Sequence, residues 1–302
     1  LKLTLVVRAS HVGALPLPPQ QVYWNSVLLG TPMPKALSEL VQPDQYASED
    51  KLLVFYNHGA PKQQLLKDQH AAEDKLLVHP TQRSFFLEKE MQPGTTMKYS
   101  LGRNINGECF LPRKIAQSIP FSSAKLPEVL NKFSMEPTSV EAAVIQETIQ
   151  DCESGTLNGE DRYCATSLES MADFAMSKLG RNVQAFSTEV EKGATLQKYT
   201  VKPGVKKVND GGNFILCHKL TDANAVFFCH TFGQTRAYVV PLKGADRTTA
   251  SAVAICHLDT SAWNPKNHPL QEVKVKPGTV PVCHYLPQGH IAWVPRQKEM
   301  SP

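Results

Sequence analysis

Four segments in the last third of the chain end in the same dipeptide: FILCH (214–218), VFFCH (226–230), VAICH (253–257) and VPVCH (280–284). The dipeptides are separated by 10, 25 and 25 residues. Each follows a short run of apolar residues rich in β-branched and aromatic side chains, which is typical of a β-strand. Thiols and imidazoles bind transition metals, and thiols also form disulfides. The array therefore predicts four strands that carry chemically active side chains.

Neighbouring side chains on a strand point to opposite faces, so each dipeptide sends its thiol one way and its imidazole the other. The spacing also differs from the C-x2-4-C and H-x3-5-H patterns of mixed zinc sites. The array instead favours disulfides on one face and gathered imidazoles on the other. Gathered imidazoles suit zinc or copper, and copper binds most tightly. The candidate metal ligands are His218, His230, His257 and His284, with His268 and His290 as secondary candidates. The alternative is a metal-free array, in which disulfide-linked strands carry structural, hydrogen-bonded histidines.

The chain has seven cysteines, an odd number. Cys152 closes one predicted helix and Cys164 precedes the next, with eleven residues between them, so we predict a disulfide between these two. Cys217, Cys229, Cys256 and Cys283 are predicted to pair among themselves. Four cysteines allow three connectivities, and the sequence does not choose between them. Cys109 belongs to none of the predicted pairs.

Secondary-structure patterns predict an α+β fold that is mainly antiparallel β, with an N-terminal helical hairpin and an irregular leader. The first helix has Val140, Val144, Ile145 and Ile149 on one face, and the second begins at a capping box, Thr166-x-x-Glu169. Short β-like runs follow at 185–188, 198–201, 213–220, 225–231, 236–241, 251–258, 272–276, 280–286 and 290–295.

The N-terminal third has a different character. Residues 1–14 fit the remnant of a secretion signal or, alternatively, a disordered tail. Residues 15–83 form a predicted leader or linker before a domain at 84–302. The leader contains a repeat, QYASEDKLLV (45–54) and QHAAEDKLLV (69–78). Two copies are too few for a solenoid, so the repeat is either a duplicated linker or a substrate segment copied in tandem.

Composition excludes several functions. The net charge is only +4, and Lys and Arg are scattered, so nucleic-acid binding is not expected. No stretch approaches the roughly 18 apolar residues that are needed for a membrane-spanning helix. The chain also lacks the G-x-S-x-G, Walker A and H-E-x-x-H motifs of common hydrolases, nucleotide-binding proteins and metalloproteases.

Further motifs accompany the dipeptide spacing: SFFLEK (84–89), YCATSLESM (163–171), TRAY (235–238), WNP (263–265) and KPGTVP (276–281). Together they resemble the plant BURP-domain family over roughly residues 84–295. YWNSV (23–27) and TPMPK (31–35) resemble the leader found before many such domains. The resemblance implies a secretory route, to the extracellular space or cell wall or to the seed vacuole.

Some members of this family are fused peptide cyclases (burpitide cyclases) that use Cu(II) and molecular oxygen to join a Tyr oxygen or a Trp indole to an unactivated carbon. The resemblance therefore implies a copper-dependent oxidative cyclase whose substrate is its own N-terminal leader or a separate precursor peptide. Tyr46 and Tyr56 are the candidate substrate residues, although the leader has no Trp between residues 42 and 80. Catalytic residues beyond the metal ligands are not identified. The alternative is a non-catalytic secreted seed or cell-wall protein with a structural or binding role.

If the chain modifies its own leader, Tyr23, Trp24, Val27 and Leu28 are expected to dock on the domain and hold the start of the leader, while Phe85 and Phe86 hold its end. The alternative is that these apolar residues complete the core.

Overall fold

The structure is a computed structural model that describes residues 17–41, 84–102, 109–154, 160–192, 196–220 and 224–296. The predicted signal remnant and the candidate substrate residues Tyr46 and Tyr56 lie outside these ranges.

Most helices of the described chain lie before residue 180, and most strands follow it. The α-helices are Pro19–Val27 (α1), Lys35–Ser38 (α2), Arg113–Ser118 (α3), Leu126–Lys132 (α4), Val140–Glu153 (α5), Leu168–Leu179 (α6) and His268–Val273 (α7), and the 3-10 helices are Glu88–Glu90 and Ser123–Lys125. The strands are Phe85–Leu87 (β1), Thr96–Tyr99 (β2), Arg162–Ala165 (β3), Val183–Phe186 (β4), Glu189–Val190 (β5), Gln197–Val201 (β6), Lys206–Asp210 (β7), Phe214–Lys219 (β8), Phe227–Phe232 (β9), Thr235–Gly244 (β10), Thr249–His257 (β11), Val282–Tyr285 (β12) and Ile291–Pro295 (β13).

In the part of the chain that the structure describes, the strands form two sheets in which every pairing is antiparallel. The larger sheet runs β1-β12-β11-β10-β6-β2, with β5 beside β11 and β7 beside β10, and the smaller runs β3-β9-β8-β13-β4. The predicted α+β class, mainly antiparallel β, is therefore confirmed.

The two sheets face each other across a shared apolar cluster. Leu216 of β8 and Val294 of β13 meet Val253 and Ile255 of β11 in this cluster. The next residues along the same strands point away from it, as the two-residue period of a strand requires. Those on the smaller sheet pack under helix α6, and those on the larger sheet line a second core of their own.

The larger sheet curls around that second core. Tyr99 of β2 stands edge-on to Tyr285 of β12, with ring centroids 5.1 Å apart. Its hydroxyl contacts the carbonyl oxygens of Ser84 and Tyr285 at 3.1 Å and accepts a hydrogen bond from the Tyr285 N–H at 3.2 Å. These contacts bring β2, at one end of the strand order, close to β1 and β12 at the other end.

Part of the predicted leader belongs to the core. Trp24 of α1 packs against Trp293 of β13 with ring centroids 5.5 Å apart, and its indole N–H donates to the Thr31 carbonyl at 2.8 Å. Arg296 donates to the carbonyl of Gly30 at 2.9 Å. Leu28 is also buried in this cluster, and Tyr23 and Val27 pack at its edge. The expected docking residues thus lie on the smaller sheet, where they complete its apolar cover.

The two helices predicted from periodicity form, with one shift in capping. Ser139 caps α5 by accepting a 3.1 Å hydrogen bond from the Ala142 N–H. Helix α6 is capped by Ser167 with Ser170, one residue later than the predicted Thr166-x-x-Glu169 box. The observed box lies one position later than the predicted one. Its two serines cap the helix because each side-chain oxygen accepts a hydrogen bond from the backbone N–H of the other serine.

Two expectations differ from the structure. The helices α5 and α6 do not pair as a hairpin, because β3 lies between them and they pack in separate clusters. The predicted strand at 272–276 is wrong, because 268–273 form helix α7, which starts with a proline in its first turn and ends where Lys274 adopts a left-handed φ of 56°. Within the described residues, no helix is long and apolar enough to cross a bilayer.

The leader contact yields a stability prediction. Trp24 is 1% exposed, so Trp24→Ala should lower the free energy of unfolding by about 3–5 kcal/mol, because it leaves a cavity against Trp293. Urea unfolding measures this. Val22→Ala on the same helix is the matched control, because Val22 is 53% exposed and should change stability by no more than about 0.5 kcal/mol. Equal effects of the two substitutions would show that α1 does not contribute to the core.

Candidate functional site

The cysteines of the array form disulfides across neighbouring strands. Cys217 of β8 lies directly opposite Cys229 of β9, and Cys256 of β11 lies opposite Cys283 of β12, with Cα–Cα distances of 3.9 and 4.0 Å. This is one of the three connectivities that the sequence left open, and it places one bond in each sheet. A third disulfide joins Cys152 to Cys164, at the end of α5 and in β3. The seventh cysteine, Cys109, is buried.

The imidazoles lie on the opposite face from the thiols. The four array cysteines belong to the two outer clusters. His218 and His257 each lie two residues after Leu216 and Ile255, which belong to the cluster between the sheets, so strand alternation directs both imidazoles to that inner side. The structure thus shows the separation that the alternation of strand side chains predicts.

The histidines come together as two pairs, one on each sheet. On the smaller sheet, Nε2 of His218 and Nε2 of His230 are 3.1 Å apart, and the rings stack at 5.3 Å. On the larger sheet, Nε2 of His257 and Nε2 of His284 are 3.4 Å apart, with the rings stacked at 5.5 Å. In each pair the same nitrogen of both rings points at its partner.

Aromatic side chains surround and connect the pairs. Phe232 has its ring centroid 4.1 Å from that of His230 and 5.6 Å from that of His257, so it bridges the two sheets. Trp263 packs on His257 at 5.3 Å. Phe85 packs on His284 at 5.8 Å. The histidine pairs therefore lie in an apolar, aromatic region.

The two secondary candidates occupy different positions. His290 Nδ1 is 3.0 Å from Nδ1 of His218. Because His218 turns its Nε2 to His230 and its Nδ1 to His290, a single ion cannot take all three rings through these nitrogens. His268 lies on α7 with Nδ1 3.7 Å from Glu272, and its side chain is half-exposed. Across the described residues, no group of three or more His, Cys, Asp or Glu side chains is arranged to hold a metal ion.

Each pair nevertheless has the donor geometry of two ligands on one ion. A first-row ion about 2.0–2.1 Å from two nitrogens holds them about 2.9 Å apart at a right angle and about 3.3 Å apart at a tetrahedral angle. The observed separations of 3.1 and 3.4 Å lie close to these values. The same separations also suit a direct N–H···N hydrogen bond, which is the metal-free alternative.

The outer nitrogens face oxygen atoms, as they do in many metal-binding histidines. His284 Nδ1 is 3.4 Å from its neighbour's carbonyl, that of Tyr285, and His230 Nδ1 is 3.6 Å from a carboxylate oxygen of Glu160. Burial lowers the pKa of His284 to about 4, so this ring is neutral near pH 7, the form that binds metals. The arrangement can therefore hold a cation through the facing Nε2 atoms of each pair.

Several of these neighbours are not evident in the sequence. Glu160 lies just before β3 and Arg162 is its first residue, and charged residues beside a strand end usually indicate a solvated loop. The sequence offered one signal: Glu160 and Arg162 lie two residues apart just before Cys164, a spacing that puts side chains on the same face of a strand. Phe232 follows a Cys-His dipeptide by two residues, so the same alternation could have placed it beside His230.

The sequence also matches known proteins. A model of the BURP domain family matches residues 84–295. BURP domain-containing protein 3 of Oryza sativa subsp. japonica is 51% identical over 219 residues, which cover 71% of this chain and 51% of that protein. BURP domain protein RD22 of Arabidopsis thaliana is 47% identical over 220 residues, covering 71% of this chain and 56% of that protein. The chain therefore spans about half the length of these two relatives.

A third relative extends the similarity into the N-terminal region. BURP domain-containing protein 5 of Oryza sativa subsp. japonica is 38% identical over 304 aligned residues, which cover 95% of this chain and 89% of that protein. The resemblance therefore reaches beyond the segment that the family model matches.

The low pKa of His284 predicts a specific pH dependence of stability. The pKa of His284 in the folded protein lies below the value of 6.5 for an unperturbed histidine. Between about pH 4 and pH 6.5 the unfolded chain therefore binds a proton at this residue that the folded protein does not bind. The contribution of the neutral His284 ring to the unfolding free energy is fully present above pH 6.5 and is lost as the pH falls towards 4. His284→Gln should therefore weaken the decrease in unfolding free energy between about pH 7 and pH 4, measured by urea unfolding with a chelator present.

His268→Gln is the control for this experiment, since His268 lies on α7 with a half-exposed side chain. Comparison with this variant separates the effect of removing the buried His284 ring from that of removing a half-exposed imidazole. An unchanged pH dependence in His284→Gln would contradict the assignment.

Proposed function

The chain belongs to the BURP domain family, and on that premise we propose that it is a secreted plant protein that uses copper to cross-link a peptide oxidatively. The observation that carries the proposal is the pair of facing Nε2 atoms on each sheet, at 3.1 and 3.4 Å. Under this proposal His218 and His230 hold one copper ion, and His257 and His284 hold another.

The bound copper, with molecular oxygen as the final oxidant, supplies oxidation of an aromatic side chain. Joining a Tyr oxygen to a carbon of the same peptide removes two hydrogen atoms, whose two electrons and two protons pass to oxygen. The protein's own contribution is to position the groups and exclude water. Phe232 and Trp263 form an apolar wall beside the histidine pairs, which favours an aromatic substrate ring over bulk water.

The substrate is the chain's own N-terminal leader or a separate precursor peptide. The described chain stops at Val41 and resumes at Ser84, and both of these residues are buried against the domain. Phe85, which follows directly, lies 5.8 Å from His284. A segment that ends beside the second histidine pair has a high effective concentration there, which supports Tyr46 and Tyr56 as candidate substrate residues.

We assign the protein to the secretory pathway, with the extracellular space, the cell wall or the seed vacuole as its destination. The support is its three disulfides, since such bonds persist in oxidising compartments. Neither a nucleic acid nor a membrane span is part of the proposal.

A non-catalytic seed or cell-wall protein is the second candidate. The observation that favours it is that, in the described ranges, no set of three or more metal-binding side chains is arranged around one point. In that case each histidine pair is a structural hydrogen bond, and the disulfides stabilise a binding module.

Copper titration separates the two candidates. We expect two Cu(II) ions per chain by calorimetry, one lost in His218→Ala and the other in His257→Ala, because each substitution removes half of a pair. His268→Ala is the control and should retain both ions, since its ring lies outside the pairs. Copper binding that is unaffected by either pair substitution would refute the assignment of ligands.

Mass spectrometry tests the reaction itself. After incubation with Cu(II) in air, a peptide from residues 42–79 should lose the mass of two hydrogen atoms, and Tyr46→Phe or Tyr56→Phe should abolish the loss. A rate independent of protein concentration identifies the tethered route, and a rate that rises with concentration identifies a reaction between chains. No mass change, either in the chain or in added precursor peptides, would support the non-catalytic candidate.

A further inference from the structure

Strand β1 lies at one end of the strand order in the larger sheet, so within the described chain only its β12 side pairs with a strand. The backbone N–H groups on the other side of such an edge strand need partners of another kind. The Phe85 N–H donates to Glu272 Oε2 at 3.1 Å, and the Leu87 N–H donates to Glu90 Oε2 at 2.7 Å. Two carboxylates therefore cover this edge, one at each end of the strand.

Glu272 also binds the residue before the strand. Its second oxygen, Oε1, accepts a hydrogen bond from the Ser84 N–H at 2.7 Å, so one carboxylate holds two consecutive backbone N–H groups. Hydrogen bonds to a charged acceptor are stronger than neutral ones. Ser84 is fully buried, and its carbonyl contacts the Tyr99 hydroxyl at 3.1 Å. Ser84 is therefore held both at its N–H and at its carbonyl.

Helix α7 carries Glu272 and is itself fixed to the domain. Its Leu270 is 1% exposed, and Nε2 of Gln271 donates to the Pro265 carbonyl at 2.6 Å. The Glu272 side chain is only 16% exposed. A packed helix therefore presents this carboxylate to the start of β1.

The strand that Glu272 holds carries Phe85 beside the second histidine pair. Phe85 lies directly opposite His284 in the pairing of β1 with β12, so the two side chains project from the same face of the sheet. Their ring centroids are 5.8 Å apart, and the Phe85 ring is also 6.1 Å from the half-exposed ring of His268 on α7. His284 in turn stacks on His257 at 5.5 Å. The Phe85 ring therefore lies between helix α7 and the histidine pair.

We infer that Glu272 is a positioning residue of the His257–His284 pair, because it holds β1 so that the Phe85 ring closes the pair on the side of α7. When the carboxylate is removed, the two N–H groups lose these acceptors, and a buried N–H that loses its acceptor costs free energy unless it reaches water. The start of β1 then opens, and the Phe85 ring leaves His284. Phe86 is fully buried on the opposite face of the strand and keeps the rest of β1 in the sheet.

Amide hydrogen exchange of the metal-free protein tests the hold on the backbone. Glu272→Ala should speed exchange at Ser84 and Phe85 by about 10-fold or more, because hydrogen bonds to a charged acceptor are lost. Glu272→Gln should still protect one of the two amides, because a carboxamide has a single oxygen acceptor. Glu90→Ala is the matched control, since Glu90 covers the same edge at Leu87, and it should leave both amides unchanged. Unchanged exchange at both amides in Glu272→Ala would overturn the inference.

Labelling with diethyl pyrocarbonate, a histidine-directed reagent, tests the closure of the pair. Mass spectrometry of the metal-free protein should show slow labelling of His284. Glu272→Ala should speed it by about 10-fold or more, in step with the Phe85 amide, because both report the same local opening. Phe85→Ala should have the same effect, since it removes the covering ring. If Glu90→Ala speeds the labelling equally, or Glu272→Ala leaves it unchanged, the positioning role is wrong.

The first pair supplies an internal reference for this experiment. The labelling of His230, whose side chain is 1% exposed, should stay slow in every variant, because β9 does not contain the altered residues. Faster labelling of His230 in Glu272→Ala would indicate general unfolding and contradict a local effect.

The consequence for copper rests on the proposed function. Since the apolar surroundings of a metal site control solvent access, Glu272→Ala should speed removal of Cu(II) from the second pair by EDTA about 10-fold or more. The first pair should be unaffected, as measured in His218→Ala and His257→Ala backgrounds that each retain one pair. Equal acceleration at both pairs would contradict the positioning role. If the unsubstituted protein binds no copper, the proposed function fails, while exchange and labelling of the metal-free protein still decide the role of Glu272.

Discussion

The two-residue period of the β-strand is the constraint on which the rest of this molecule depends. Adjacent Cys and His residues must leave a strand on opposite faces, so four identical dipeptides produce two chemically different layers. The cysteines pair across β8–β9 and β11–β12 and lie in the outer cores, whereas the histidines face the space between the sheets. Because each disulfide joins two strands at directly opposed positions, it also fixes the register that brings the neighbouring imidazoles together.

The alternation of side chains along β-strands explains which parts of the fold could be predicted from the sequence. The β-like runs around the Cys-His dipeptides became strands with bounds close to those expected, because apolar runs of Val, Ile and Phe form strands in a buried sheet. The strand expected at 272–276 failed, because a proline in the first turn and a left-handed Lys274 favour a short helix there. The helical hairpin failed for another reason: strand β3 between the helices pairs with β9, a partner more than sixty residues away that local periodicity does not reveal.

The candidate site was predictable to a similar extent. The dipeptides identified four histidines, and strand geometry separated them from the thiols. The division into two pairs depends on which strands are neighbours, and this is a property of the sheet order. His290 and His268 looked equivalent in the sequence, each being close to a dipeptide. In the fold, a turn at Gly289 brings His290 to His218, whereas α7 carries His268 outward. The proximity of Glu160 to His230 depends on the pairing of β3 with β9, because the two residues are distant in sequence.

The contact between Trp24 and Trp293 has a consequence for how the protein is made. It joins the two ends of the described chain, so helix α1 cannot complete its packing until strand β13 has been synthesised. Until then the indole of Trp24 lacks this packing partner, and the thiols of the array emerge from the ribosome one after another. Cys217 emerges before Cys256, so the smaller sheet can form its disulfide before the strands of the second pair are both available. Synthesis in this order favours pairing of neighbouring strands over exchange between the sheets.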